Sequence, residues 1–141
     1  MKICFFSLAM VVGAFSNLFA SPIPTYQELK SSIYEGKHFV ILVDHEQCTG
    51  RSGKAMGYFI PKAMMLIPAT DTQPEYVTTS DLHFTDIFGK PSYEYVKYTF
   101  YSDDSATIRS VFYDPQDFKP LGSERKIHCS LDKGVEIHSG N

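Results

Sequence analysis

The sequence predicts a mainly β fold of the α+β class, in which a short N-terminal helix precedes an antiparallel meander of about seven strands arranged as a barrel or sandwich. Three observations point there. A helical hydrophobic period is confined to the segment before Gly36, no helical segment recurs between the strand-like runs, and the aromatic residues, 14% of the chain with no Trp, concentrate in those runs. Helices recurring between strands would have indicated a parallel doubly wound sheet, so their absence excludes one.

The chain opens with Met1-Lys2, an uncharged stretch from Ile3, and Asn17-Leu18-Phe19-Ala20 before Ser21-Pro22. One positive charge, an apolar core and a small residue at the cut describe a secretory signal peptide, with cleavage expected before Ser21. Leu18 is larger than the small residue preferred two positions before a cut, which leaves a neighbouring site open. Ser7, Ser16 and Asn17 interrupt a run too short for a membrane anchor. Cys4 precedes the apolar core, where a lipidated cysteine would have to follow it.

Residues 1–20 are therefore expected to leave, and 21–141 to form a single disulfide-stapled β-rich domain. No later stretch is apolar enough to span a membrane. Losing Lys2 makes the remaining chain slightly more acidic than the −3 of the whole, and its Lys and Arg are scattered. Nucleic-acid binding is excluded on that distribution, since it needs basic residues clustered on one face.

Cys4 departs with the leader, so Cys48 and Cys129 remain as an even pair in an oxidising compartment, and one disulfide is the expected state. Closing so long a loop is worth about 4.5 kcal/mol in the chain-entropy picture, an upper figure. Two free buried thiols are the alternative.

Thr25-Tyr26-Gln27-Glu28 reads as the capped start of a helix, with Glu28 completing a capping box. Tyr26, Leu29, Ile33 and Tyr34 supply the apolar stripe. Gly36 provides the left-handed cap, and Lys37 sits where a cation favours the helix end. Beyond His38 the run Phe39-Val40-Ile41-Leu42-Val43 suits a strand buried on both faces and stopped by Asp44. Tyr58 to Ile60 and Met64 to Ile67 flank Pro61, which argues for an edge strand or a bulge.

Tyr76 to Phe84 forms the next strand. Tyr93 to Tyr101 and Thr107 to Tyr113 then flank the turn cluster Ser102-Asp103-Asp104-Ser105 as a hairpin. Glu94, Val96, Tyr98 and Phe100 fall on one face of its first strand, while Tyr93, Tyr95, Lys97, Thr99 and Tyr101 fall on the other. Arg125 to Ser130 and Val135 to His138 close the chain around Asp132-Lys133-Gly134, which reads as a tight hairpin.

Chemistry is harder to find. Gly50-Arg51-Ser52-Gly53-Lys54-Ala55 lacks both the glycine spacing and the hydroxyl of a phosphate loop. Asp44, His45, Glu46, Cys48, His83, His128 and His138 are metal-capable, but none has the paired spacing of a metal site, and an oxidised Cys48 cannot ligate. Cys48 as a nucleophile would need the same free thiol. Asp103 and Asp104 are better explained as turn residues than as an acid–base pair. Most strand tyrosines are expected to pack, with a Tyr-lined binding cup as the alternative. No catalytic residue, metal ligand or cofactor is assigned.

Two stretches together resemble the bacterial VirK family. The first is Thr25-Tyr26-Gln27-Glu28-Leu29 with Ile33, Gly36-Lys37 and the strand ending at Asp44 before Cys48. The second is Cys129-Ser130-Leu131-Asp132-Lys133-Gly134-Val135-Glu136-Ile137, and Tyr93-Glu94-Tyr95-Val96-Lys97-Tyr98 is compatible with it. The resemblance implies an exported bacterial protein, named from a virulence-regulated gene, in a family with no established reaction and so no active-site residues to transfer. The expected function is a non-enzymatic binding domain, periplasmic or secreted by the general route, whose partner is a protein or a small apolar ligand. A lipocalin-like carrier and a thiol-dependent or hydrolytic enzyme are the alternatives.

Overall fold

A computed structural model describes residues 20–50, 54–86 and 89–140. The expected signal peptide lies outside them, apart from Ala20. The helix, α1 (Tyr26–Tyr34), begins where the sequence places it, since the Thr25 hydroxyl oxygen accepts from Glu28 N at 3.3 Å and itself donates to the Glu28 carboxylate at 2.9 Å. Gly36 ends it with φ of 69°. Tyr26 and Leu29 are fully buried and Ile33 is partly buried, but Tyr34 is 73% exposed and does not belong to the apolar stripe. Lys37 pairs with Glu35 at 2.7 Å.

The described strands are β1 (Ser21–Ile23), β2 (His38–Asp44), β3 (Met56–Phe59), β4 (Met65–Ile67), β5 (Tyr76–Thr85), β6 (Ser92–Tyr101), β7 (Ser105–Tyr113), β8 (Arg125–Leu131) and β9 (Gly134–Gly140). They form one 9-stranded sheet in the order β3-β2-β9-β8-β7-β6-β5-β4, with β1 also paired to β9. Two expectations are corrected. There are nine described strands where about seven were expected; one of them, β1, is a three-residue proline-containing segment too short to register in the sequence pattern. The sheet is also open, neither a closed barrel nor a two-sheet sandwich.

The sheet nevertheless rolls. Its two edge strands, β3 and β4, are consecutive in the chain, so the link from Ile60 to Met64 must span from one edge to the other. Thr79 Oγ1 ties that link to β5 by donating to Ala63 O at 2.7 Å. Pro61, lacking an N–H, stands in the seam and cannot donate to a closing ladder. β4 pairs with β5 only through Tyr76, Val77 and Thr78, which leaves the outer edge of β5 from Thr79 onward unpaired by it. Rolling is measured by Phe59 of β3, whose ring stacks on Tyr98 of β6 with centroids 4.2 Å apart.

The closing segment differs from the expected hairpin. β8 and β9 pair in parallel through Ser130 with Gly134 and Leu131 with Val135. Asp132 and Gly134 adopt φ of 61° and 93°, a left-handed kink that returns the chain to its original direction. β9 therefore continues forward to lie antiparallel to β2 over residues 38–43. In β2, Phe39, Ile41 and Val43 are buried while Val40 and Leu42 are only half-buried, so this strand is not covered equally on both faces.

Cys48 and Cys129 form a disulfide with Cα atoms 4.5 Å apart and a sequence separation of 81. Beside it, Thr49 and His128 exchange backbone hydrogen bonds of 2.8 and 2.9 Å, fixing the segment after β2 onto β8. Gly50 there has φ of 94°, and an added Cβ would come 2.8 Å from Lys126 O. A Cβ at Gly134 would come equally close, 2.8 Å, to Cys48 Sγ.

Helix α1 docks through polar contacts at one end of the sheet. Asp104 in the β6–β7 turn accepts from Tyr26 N at 2.7 Å, and Glu75 accepts from Tyr26 Oη at 3.1 Å and from Lys30 Nζ at 2.8 Å. The ammonium of Lys30 holds the Glu75 carboxyl below its usual range, against a smaller opposing effect of desolvation. Burial, then the bond to Glu75, pushes the Tyr26 phenol up.

Two outcomes follow. Cys48→Ser should destabilise the oxidised protein by about 2–4 kcal/mol, and reductant should do the same to the parent; equal melting temperatures with and without reductant would contradict this. Since the Glu75 pKa is depressed on folding, its contribution is present above the unfolded value and is lost as pH falls through the folded one. Glu75→Gln should therefore reduce the loss of stability that thermal melts record as the pH falls below the ordinary carboxylate range.

Candidate functional site

The concave face of the rolled sheet is built by every second residue of its long strands. Register aligns Thr79, Tyr98, Ile108 and Ile127 in one row across β5 to β8, and Asp81, Val96, Ser110 and Arg125 in the next. Val77, Phe100, Ala106 and Cys129 form a third row toward the α1 end, all buried. Here the interior is filled. Toward the opposite end, polar side chains replace apolar ones on the same face, and packing gives way to a cavity of about 430 Å³.

Position 57 helps to account for the void. On β3, Gly57 is opposite Val43 and Phe59 opposite Ile41, so by strand alternation both face the interior. Phe59 fills its place by stacking on Tyr98, whereas Gly57 has no side chain, and a Cβ added there would meet nothing within 4 Å. The cavity is bounded by Val43, Gly57, Phe59, Val96, Tyr98, Ile108 and Ile127 on its apolar walls, with His45, Asp81, His83, Glu94, Ser110 and Arg125 as polar lining. Its size falls within the range of about 300–1,000 Å³ typical of small-molecule sites.

Three of these groups touch. His83 Nδ1 lies 3.2 Å from Asp81 Oδ2, and its Nε2 lies 3.1 Å from Glu94 Oε2. Glu94 is the more enclosed carboxylate, with 14% of its side chain exposed against 33% for Asp81. The phenol of Tyr98 is pushed up by burial first, then by the charges of Glu94 and Asp81. Arg125 holds its guanidinium 5.1 Å from the centroid of the Phe112 ring.

Of the metal-capable residues singled out in the sequence, the fold brings His45 and His83 to this cavity. Asp44 instead caps the 3-10 turn His45–Gln47, accepting from Glu46 N at 3.0 Å, and Glu46 pairs with Lys54 at 3.5 Å. The ring of His128 is 3.4 Å from Thr107 Oγ1, and that of His138 is 3.5 Å from Glu136. Among the described residues, no group of three or more His, Cys, Asp or Glu is arranged to hold a metal ion. Asp103 accepts from Ser105 N at 3.0 Å and from its hydroxyl at 2.6 Å, a turn role that holds its carboxyl below the usual range. Asp104 caps the helix. Arg51, Ser52 and Gly53 lie outside the described residues.

Sequence reading did not single out Gly57, Phe59, Asp81, Glu94 or Arg125 as a site; of the strand tyrosines offered as a lined cup, Tyr58 and Tyr98 border the cavity. Two signals were available. Gly57 is an isolated glycine in a strand pattern, and Glu94 interrupts the otherwise apolar Val96-Tyr98-Phe100 face.

The geometry defines a class, a small β protein with one α-helix among its described residues, whose rolled sheet borders a ligand-sized cavity beside its open seam. The chain belongs to the VirK family, whose model, described as VirK protein, matches residues 22–118. That match contains the first stretch of the resemblance and ends before Cys129 and the Gly134-Val135 segment. The crystal structure of lpg1832, a VirK family protein from Legionella pneumophila, is similar with a TM-score of 0.72 and 27% sequence identity, over 84% of this chain and 98% of that one. No curated protein matches the chain. Among the described residues, no helix is long and apolar enough to cross a membrane.

Proposed function

We propose that this VirK-family chain is an exported, non-enzymatic binding protein that takes a small, partly apolar molecule into the cavity between β3 and strands β5 to β8. The observation that carries the reading is the cavity itself, about 430 Å³ of space with aromatic and aliphatic walls and converging polar groups. Apolar walls bury the body of a ligand, and a few fixed polar groups orient it. Export rests on the leader-like residues 1–20 and the Cys48–Cys129 bridge, which would persist in an oxidising compartment, periplasmic or extracellular. That bridge also occupies both cysteine sulfurs, which weighs against thiol chemistry. A role at the host interface belongs to the same proposal.

A second reading draws on the outer face, where Phe84 is 61% and Phe118 is 56% exposed. Tyr93 lies between them, edge-on to Phe84 at 5.5 Å and stacked on Phe118 at 5.4 Å. Such a strip favours contact with another protein.

Gly57→Phe separates the two readings. An added Cβ at this position meets nothing within 4 Å and a phenyl group would take up part of the void, so the variant should melt within a few degrees of the parent. Native mass spectrometry of freshly purified protein should find a small molecule retained by the parent and lost from the variant. Retention by both, or by neither, would count against the cavity, and hydrolytic activity lost on replacing one polar side chain would contradict a non-enzymatic role.

A further inference from the structure

The reading just given leaves the chemistry of the ligand open, and the distribution of charge around the cavity narrows it. Asp81 and Glu94 stand on adjacent strands, one row apart, on the flank of the cavity next to the Phe59–Tyr98 stack. His83 is shared between them. An imidazole carries at most one positive charge, so two ionised carboxylates leave this flank net negative whichever form the ring takes. His45 also lines the cavity, from the turn after β2, and can add at most one more charge.

The fixed cation of the lining is Arg125. Arg125 is on β8 in the same row as Asp81, with Val96 and Ser110 between them, which puts the two backbones about 14 Å apart at ordinary strand spacing. Its guanidinium is engaged over Phe112, which does not line the cavity. The charges of Glu94 and Asp81 both reach the Tyr98 phenol and oppose its ionisation. Among the described residues that hydroxyl makes no hydrogen bond, which leaves it available to an occupant.

Resting on the proposed cavity function, we infer that the ligand is a small organic cation, an amine on an apolar body. Its ammonium sits on the cavity side of the Asp81 and Glu94 carboxylates, which keep His83 between them, and its body lies against Phe59, Tyr98, Ile108 and Ile127. A carboxylate offers about four lone-pair sites, so Glu94 can keep His83 and accept an ammonium as well. The adjacent aromatic faces add cation–π attraction in a partly desolvated place. An anionic ligand of the same shape would meet two like charges there.

Three probes of one size test this, 2-phenylethylammonium, 2-phenylethanol and phenylacetate, titrated into the full mature protein by calorimetry. The ammonium should bind at least about tenfold more tightly than the alcohol, and the carboxylate most weakly. Glu94→Gln should remove most of that advantage, weakening the ammonium far more than the alcohol. Asp81→Asn gives the same readout if the first variant does not fold. Alcohol or carboxylate binding as tightly as the ammonium would overturn the inference about charge while leaving the cavity function standing. Failure of all three to bind would overturn both.

Discussion

The architecture depends on the last strand holding the first elements in place. β9 lies between β2 on one side and, on the other, β8 at its beginning and β1 at its end. Without it the sheet would fall into two pieces, β2 with β3 and a meander from β4 to β8, and β1 would have no strand partner. Such contacts are non-local, so the loop-closure entropy is high and the sheet is complete only when residues 134–140 are present. The disulfide reinforces the same joint from outside β9, connecting the end of β2 to β8. Thr49 and His128 add a backbone pairing there, and the close approach at Gly50 and Gly134 admits no side chain.

That joint also sets the conditions for the cavity. Because β9 carries the chain forward and does not return along β8, the piece made of β2 and β3 folds over the concave face of the meander, and β3 comes to rest opposite β6. Contact between the two sides is made by Phe59 on Tyr98. Beyond that stack the walls are joined by little, since Gly57 offers no side chain and the facing positions on β5 and β6 are Asp81, His83 and Glu94. Apolar residues there would have continued the core. Charged ones need solvent or a partner, and they keep the space open.

Much of this was legible in the sequence, and the parts that were not share a cause. The helix was readable because Thr25, Glu28 and Gly36 are local instructions that tertiary contacts did not override. The alternation in β6 correctly sorted Glu94, Val96, Tyr98 and Phe100 onto the interior face. The kink at Asp132-Lys133-Gly134 was misread because a two-residue hairpin and a left-handed step use the same residues, and only the pairing of β9 with β2 distinguishes them. The cavity was illegible for a similar reason. Its groups come from β2, the turn after it, β3 and β5 to β8, and no spacing along the chain says that Gly57 and Glu94 will border one space.

The account rests on the sheet being rolled, with β3 closing over β6. Nuclear Overhauser contacts between the ring protons of Phe59 and Tyr98 in the free protein test it most directly. With centroids 4.2 Å apart the account predicts strong cross-peaks between the two rings. If Phe59 showed contacts only to its neighbours on β2, with none to Tyr98, the sheet would be splayed and the cavity would not exist.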